Sequence, residues 1–198
     1  KDKTSRAMVE VVTYLDGELA PMKTMHGVFL QIYGKGVLLT GESGMGKSEI
    51  ALELIKKGHL LVADDRVDCA VIHKQIIGQA PEILKQMLEI RGVGIINVSK
   101  MFGVASVLDK ARVDLNIHIE PWEPDKQYDR LGIEEKKYTD VLGVQIPKLV
   151  IPVKEGRSMG VIIESAVTNY LLSSVGQDSA KEFEQRVLSL IERNKNGE

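Results

Sequence analysis

Residues 37–55 read VLLTGESGMGKSEIALELI. The centre, Gly41, Glu42, Ser43, Gly44, Met45, Gly46, Lys47 and Ser48, fits the pattern G-x-x-x-x-G-K-[ST]. An apolar run precedes it. After it, Ile50, Ala51, Leu54 and Ile55 fall at helical spacing, with Gly58 as a natural stop. Strand, glycine-rich turn and helix are the context a phosphate loop requires. Glycines let the backbone approach phosphate oxygens, and the start of the helix adds the positive end of its dipole. Lys47 reaches the terminal phosphates as a point charge, and the Ser48 hydroxyl is offered to a Mg²⁺ that bridges them. The pattern predicts polyphosphate binding and leaves the phosphate acceptor open.

The chain has 198 residues, 43% hydrophobic and 27% charged, enough for one sizeable α/β domain over residues 1–198. A net charge of −2 gives no basic field for nucleic acid, and no apolar run reaches the length of a membrane helix. The single Cys69 makes no internal disulfide and reads as a buried thiol, which fits a reducing, cytoplasmic setting. The start, KDKTSRAMVE, lacks an initiator Met and resembles no targeting peptide, so an N-terminal domain is expected to be missing.

Outward from the loop, MVEVVTYLDGELA suggests a strand with a turn at Asp16-Gly17. Residues 28–33 and 37–40 read as strands joined by Gly-Lys-Gly. HLLVADD is a buried strand ending in two carboxylates, expected to lie beside the phosphate-loop strand. CAVIHKQIIGQA reads as a hairpin turning at His73-Lys74, and Pro81 opens a short helix through Met87. LEIRGVGIINVSKMFGVASV is too glycine-rich to type. Residues 113–119 and 148–153 are strands, 121–137 an exposed excursion, and 159–172 a helix. A last amphipathic helix over 180–191 carries Phe183, Val187, Leu190 and Ile191 on one stripe. It could pack on its own domain, on a neighbouring subunit or on a partner.

Asp64 and Asp65 stand where strand ends of an α/β sheet point into the ligand crevice. One carboxylate there commonly orders Mg²⁺, and a second can accept the proton of an attacking hydroxyl. Adjacent carboxylates repel, which makes one of them hold its proton more tightly. A solvated turn capped by Asp is the blander alternative. Glu89, in Glu-x-Arg followed by two glycines, reads either as the partner of Arg91 or as a Mg²⁺ ligand. The chain lacks the N-K-x-D of guanine-nucleotide enzymes and the V-A-I-K, H-R-D and D-F-G strings of eukaryotic-type protein kinases.

Taken together, HGVFLQIYGKGVLLTGESGMGKSE, LVADDRVD, LEIRGVGIINV, YDRLG and IPKLVIPVKEGRSMGVIIE resemble the HPr kinase/phosphorylase family. The resemblance runs from the early strands to about Asn169. It implies a bacterial cytoplasmic enzyme of carbon catabolite regulation, with a catalytic core like the nucleotide-binding domain of phosphoenolpyruvate carboxykinase. It further implies hexamers and a separate N-terminal domain. The implied reaction phosphorylates a regulatory serine of the phosphocarrier protein HPr from ATP or pyrophosphate. In reverse, inorganic phosphate attacks phosphoseryl-HPr and releases pyrophosphate.

The resemblance also implies roles. Gly41 to Ser48 becomes the donor cradle, Ser48 and Glu89 the Mg²⁺ ligands, and Asp65 the proton acceptor and donor, supported by Asp64. His26 matches an active-site histidine and Arg130 a catalytic arginine. Residues 88–97 match a signature needed for both reactions, and 151–156 a loop tied more to the phosphorylase. There Lys154, Gly156 and Arg157 would meet inorganic phosphate or phosphoserine. The family usually has Pro where Glu155 stands and Asn where Ser158 stands, which bears on the balance of the two activities. Without the family, a small-molecule kinase or a nucleotide-binding switch stays open.

Overall fold

The computed structural model describes residues 20–124, 137–154 and 156–195, with isolated positions 8 and 11, and side chains only to 191. The strands are β1 (Met22–His26), β2 (Val28–Ile32), β3 (Lys35–Gly41), β4 (Leu60–Ala63), β5 (Arg66–Ile72), β6 (Gln75–Gln79), β7 (Met87–Ile90), β8 (Gly94–Asn97), β9 (Lys110–Arg112), β10 (Leu115–Pro121), β11 (Lys137–Val141) and β12 (Val144–Val153). The helices are α1 (Lys47–Lys56), α2 (Val98–Phe102), α3 (Met159–Ser174) and α4 (Ser179–Lys195).

Three layers result. The central sheet has the order β11-β12-β10-β3-β2-β4. One face carries Leu30, Leu39, Ile117 and Ile119 against α1 and α3, which contribute Leu54, Ile55, Ile163 and Val167. The other face carries Phe29 and Leu38 against a second sheet, β1-β5-β6-β9, which contributes Val67, Cys69 and Ile76. Burial on both faces explains why β2 and β3 read as continuous apolar runs rather than alternating ones. Phe29 sets the spacing of the layers. A Cβ at Gly78 would lie 2.9 Å from the Phe29 ring, so only glycine admits it there.

β3 pairs in parallel with β10, and β10 in parallel with β12, while β2 runs antiparallel between β3 and β4. The expectation that the Asp64-Asp65 strand lies beside the phosphate-loop strand is therefore corrected: β2 separates them. β2 reaches β3 through a turn too short for a crossover and so must reverse. The reversal leaves β3 and β4 pointing the same way, and their C-terminal ends share one edge.

Other expectations shift for local reasons. The β2–β3 turn is Tyr33-Gly34, at φ 49 and 77, and Lys35 and Gly36 already pair with Ile32 and Gln31. The hairpin at His73-Lys74 holds, with both residues at positive φ as a two-residue turn requires. After Pro81 only one 3₁₀ turn forms, Glu82–Leu84; Gln86 at φ 63 breaks the helix, and Ile83 at 85% exposure has nothing to pack against. The glycine-rich stretch resolves into the β7–β8 hairpin followed by α2. β12 begins four residues before the expected 148, because β11 pairs with its first half. α4 forms as expected, with Phe183, Val187, Leu190 and Ile191 exposed. The strand expected at 8–20 is corrected where that stretch is described, since Met8 and Val11 are helical and Ala20 lies in a bend; its other residues and most of the 121–137 excursion lie outside the described residues. Among the described residues no helix is long and apolar enough to cross a membrane.

Candidate functional site

The cleft lies at the shared C-terminal edge. It encloses about 570 Å³ between the loop leading into α1 and the β7–β8 hairpin, with Asp64 and Asp65 in its wall. Gly41 ends β3 so close to β10 that a Cβ would stand 2.4 Å from the Ile119 carbonyl oxygen. Gly46 caps α1 in the left-handed conformation, φ 79, and no side chain caps that helix start. The first-turn N–H groups of α1 thus remain available to an anion. Lys47 Nζ donates to the carbonyls of Gly41 at 2.9 Å and Glu42 at 2.7 Å, folded onto the rim of the loop. Phosphate oxygens can replace those acceptors without moving the backbone.

Asp64 ties three elements together. Its Oδ1 accepts from Ser48 Oγ at 3.0 Å, and its Oδ2 accepts from the Glu89 backbone N–H at 2.9 Å. Burial pushes the Asp64 carboxyl above the usual carboxylate range, against the pull of those two donors. Asp65 stands next to it at φ 63, inside a three-residue turn closed by Arg66 N–H donating to the Asp64 carbonyl at 2.7 Å. A non-glycine residue at that φ is uncommon and costs free energy. The surroundings hold it there: the Gly27 N–H donates to the Asp65 carbonyl at 3.1 Å. The same contact brings His26 close in sequence to the site, opposite Arg66 in the β1–β5 ladder, although His26 is not part of the cleft wall.

Glu89 lines the cleft and does not pair with Arg91 among the described residues. Arg91 instead leans over the phosphate loop, its guanidinium 3.7 Å from the Cβ position of Gly44. Sequence reasoning offered Arg91 only as a partner for Glu89. Arg91 is the first residue of the turn after β7, and that turn carries it to the loop.

Four carboxylates, Glu49, Asp64, Asp65 and Glu89, face two cations, Lys47 and Arg91, in this cleft. A polyphosphate entering such a cleft needs a further cation. Among the described residues no three His, Cys, Asp or Glu side chains cluster as a ready-made metal site. Mg²⁺ takes one or two protein oxygens and draws the rest from water and phosphate. Ser48 and Glu89 supply oxygens of the right hardness.

Lys154, Gly156 and Arg157 follow β12 at the same edge but do not line the cleft. Lys154 Nζ sits 4.3 Å over the Trp122 ring. Arg130 and Glu155 lie outside the described residues.

Comparison with known proteins gives concordant results. The family model for the HPr serine kinase C-terminal domain matches residues 17–187. An HPr kinase/phosphorylase of Geobacillus thermodenitrificans is 48% identical over 194 residues, 96% of this chain and 62% of its own length. One from Listeria monocytogenes is 47% identical over 193 residues, 97% of this chain and again 62% of its own. The chain thus spans less than two thirds of the length of these curated relatives. The solved structure of the HPr(Ser) kinase/phosphatase from Coxiella burnetii superposes with a TM-score of 0.73 at 37% identity, covering 81% of this chain and 98% of that one. The mixed α/β fold expected from sequence is the fold of that structure.

Proposed function

The chain belongs to the HPr serine kinase C-terminal domain family, and from that premise we propose that it phosphorylates a seryl hydroxyl of HPr and reverses the reaction with inorganic phosphate. The observation that carries the proposal is the Ser48–Asp64 hydrogen bond of 3.0 Å, which sets the aspartate pair against the anion cradle. Phosphoryl transfer asks for positioning and charge neutralisation more than covalent chemistry. In the forward direction the seryl oxygen attacks the terminal phosphorus of ATP or pyrophosphate. The bond to the leaving ADP or phosphate breaks, and Asp65 takes the hydroxyl proton. In reverse an oxygen of inorganic phosphate attacks the phosphoserine phosphorus. The P–Oγ bond breaks, Asp65 returns a proton to the seryl oxygen, and pyrophosphate leaves.

Lys47 and Arg91 bind and orient the donor phosphates. Asp64 holds Ser48 and the β7–β8 hairpin in register. Ser48 and Glu89 would hold Mg²⁺, which supplies charge neutralisation on the phosphates. His26 and Arg130 are assigned to the active site, Arg130 balancing charge on the phosphoryl group. Lys154, Gly156 and Arg157 would meet the phosphoserine of HPr or inorganic phosphate. A core of the phosphoenolpyruvate carboxykinase type, hexameric assembly, a cytoplasmic setting and a role in carbon catabolite control come with this reading.

The test uses the chain with purified HPr, Mg²⁺ and labelled ATP, followed by excess inorganic phosphate. Label appearing on HPr and then leaving it as pyrophosphate is the expected result. Label on a metabolite, or nucleotide binding with no transfer to HPr, would overturn the proposal.

A further inference from the structure

Arg91 presents the forked end of its guanidinium to the phosphate loop. Its two terminal nitrogens lie 3.7 Å and 3.8 Å from the Cβ position of Gly44, so both face the cradle at nearly the same distance. A turn fixes that reach. The Val93 N–H donates to the Ile90 carbonyl at 3.0 Å, with Arg91 and Gly92 between them. Gly92 stands at φ 81, a conformation that glycine adopts at no steric cost. The base of the hairpin is tied to the aspartate pair, since the Glu89 N–H donates to Asp64 Oδ2 at 2.9 Å. Arg91 itself is exposed and forms no ion pair among the described residues. Its donors are committed to nothing but the cleft.

The cleft offers more to phosphate than to a nucleoside. Among its described residues the apolar side chains are Val28 and Ile90, and no aromatic ring lines it. A base gains little by stacking there. The two donors differ in the phosphate that stays in the cradle after transfer. In ATP it is the β-phosphate, with two free oxygens and a bridge to the α-phosphate. In pyrophosphate it is a terminal phosphate, with a third free oxygen and an added negative charge in place of that bridge. Reversal of the pyrophosphate step retraces it, so inorganic phosphate attacks phosphoserine from this same place. A planar cationic fork recognises paired free oxygens on one phosphorus, which a lysine meets only as a point charge.

We propose that Arg91 sets the donor preference of the site: its fork takes the extra charged oxygen of pyrophosphate or inorganic phosphate and so favours them over ATP. This rests on the functional reading above and deepens it. Backbone N–H groups of the loop and Lys47 serve every donor alike. Arg91 supplies, for a bare phosphate, the hold that the rest of the nucleotide supplies for ATP. The hairpin carrying Arg91 is thus a specificity element, and Asp64 keeps it at the right height above the loop.

The test compares wild type, Arg91→Gln and Arg91→Lys, with HPr and Mg²⁺ in every arm. Three rates are read: transfer from ATP, transfer from pyrophosphate, and phosphate-driven release of pyrophosphate from phosphoseryl-HPr. Arg91→Gln removes the charge and the fork and is expected to lower kcat/KM for pyrophosphate about thirtyfold, and for ATP about threefold. The phosphate-driven reaction shares its transition state with transfer from pyrophosphate, so it should fall by the same factor. Arg91→Lys keeps the charge without the fork and should recover only part of the pyrophosphate loss. Equal losses with ATP and pyrophosphate, a larger loss with ATP, or full recovery by lysine would overturn the proposal. A wild type that transfers nothing to HPr from either donor would instead sink the functional reading. In that case Arg91 is judged by calorimetry of the chain with pyrophosphate and with ATP. Arg91→Gln should weaken pyrophosphate binding about tenfold and ATP binding less; equal weakening, or no pyrophosphate binding by the wild type, would count against the assignment.

Discussion

Asp64→Asn separates what the Asp64 carboxylate does for the fold from what its charge does for the site. The carboxylate is 5% exposed and has two donors, Ser48 Oγ and the Glu89 N–H. An amide in the same place satisfies both. Its oxygen accepts from the Glu89 N–H, and its NH₂ donates to Ser48 Oγ, since a hydroxyl takes either role. No hydrogen bond is lost, and a buried charge disappears. Burial raises the folded-state pKa of Asp64, so its ionised form opposes folding. That penalty is fully present above the folded pKa and fades as pH falls towards the unfolded value. Asp64→Asn should therefore be more stable than wild type at pH 7 by about 1 kcal/mol. In urea this is a midpoint shift of about 0.5 M, shrinking on acidification. Added Mg²⁺ and ATP should reverse the order, because wild type gains stability from binding and the variant loses affinity. The assay is urea unfolding at pH 7 and pH 4, with and without the ligands. A variant less stable than wild type at pH 7, or an advantage that grows as pH falls, would refute this account of Asp64.

Other outcomes follow from the same geometry. Asp65→Asn removes the proton acceptor while leaving the cradle intact, so both reactions should fall by about 10²–10⁴ with ATP affinity retained; phosphorylase turnover near wild type would defeat the assignment. Cys69 is buried and its thiol is pushed up to about 11 by burial, so alkylation at pH 8 should track unfolding rather than exposure to reagent. Rapid labelling of the folded chain would contradict the packing of Cys69. Glu164 is held below the usual carboxylate range by Lys57 first and then by His59. Its contribution is present above the unfolded pKa and is lost as pH falls through the folded one. Glu164→Gln should melt about 2 °C lower at pH 7, and the gap should close below the carboxylate range; a gap that persists in acid would rule out the ion pair as its cause.

The phosphate loop, the helix after it and the Asp64-Asp65 strand end were legible because each is a local pattern: glycine spacing, helical period and an apolar run closed by charge. The position of β4 was not legible, because strand order depends on which neighbour a hairpin claims first, and β2 claimed that place by folding back on β3. Arg91 was missed because its meaning lies in a hairpin turn that brings it over Gly44, and a glycine-rich run conceals where that turn falls. The hydrogen bond from Ser158 to Glu53 was beyond reach for a related reason. Glu53 and Ser158 are 105 residues apart in the chain, and each alone reads as an ordinary helix-surface polar residue. α4 was seen as a helix, but an amphipathic stripe does not specify what covers it.

The reversed strand β2 has a consequence for the order of assembly. β2, β3, α1 and β4 form an unbroken run of chain, so their mutual contacts close short loops, whereas Val37 meets its β10 neighbour Leu115 across 78 residues. Loop-closure entropy favours the local set. A nascent chain can thus pair the strands that flank the cradle before β10 has been synthesised. The last adjustment, the close approach of Gly41 to Ile119, waits for the parallel partner. Nucleotide affinity should accordingly appear late in refolding, after the hairpin has formed and only when the distant strand docks.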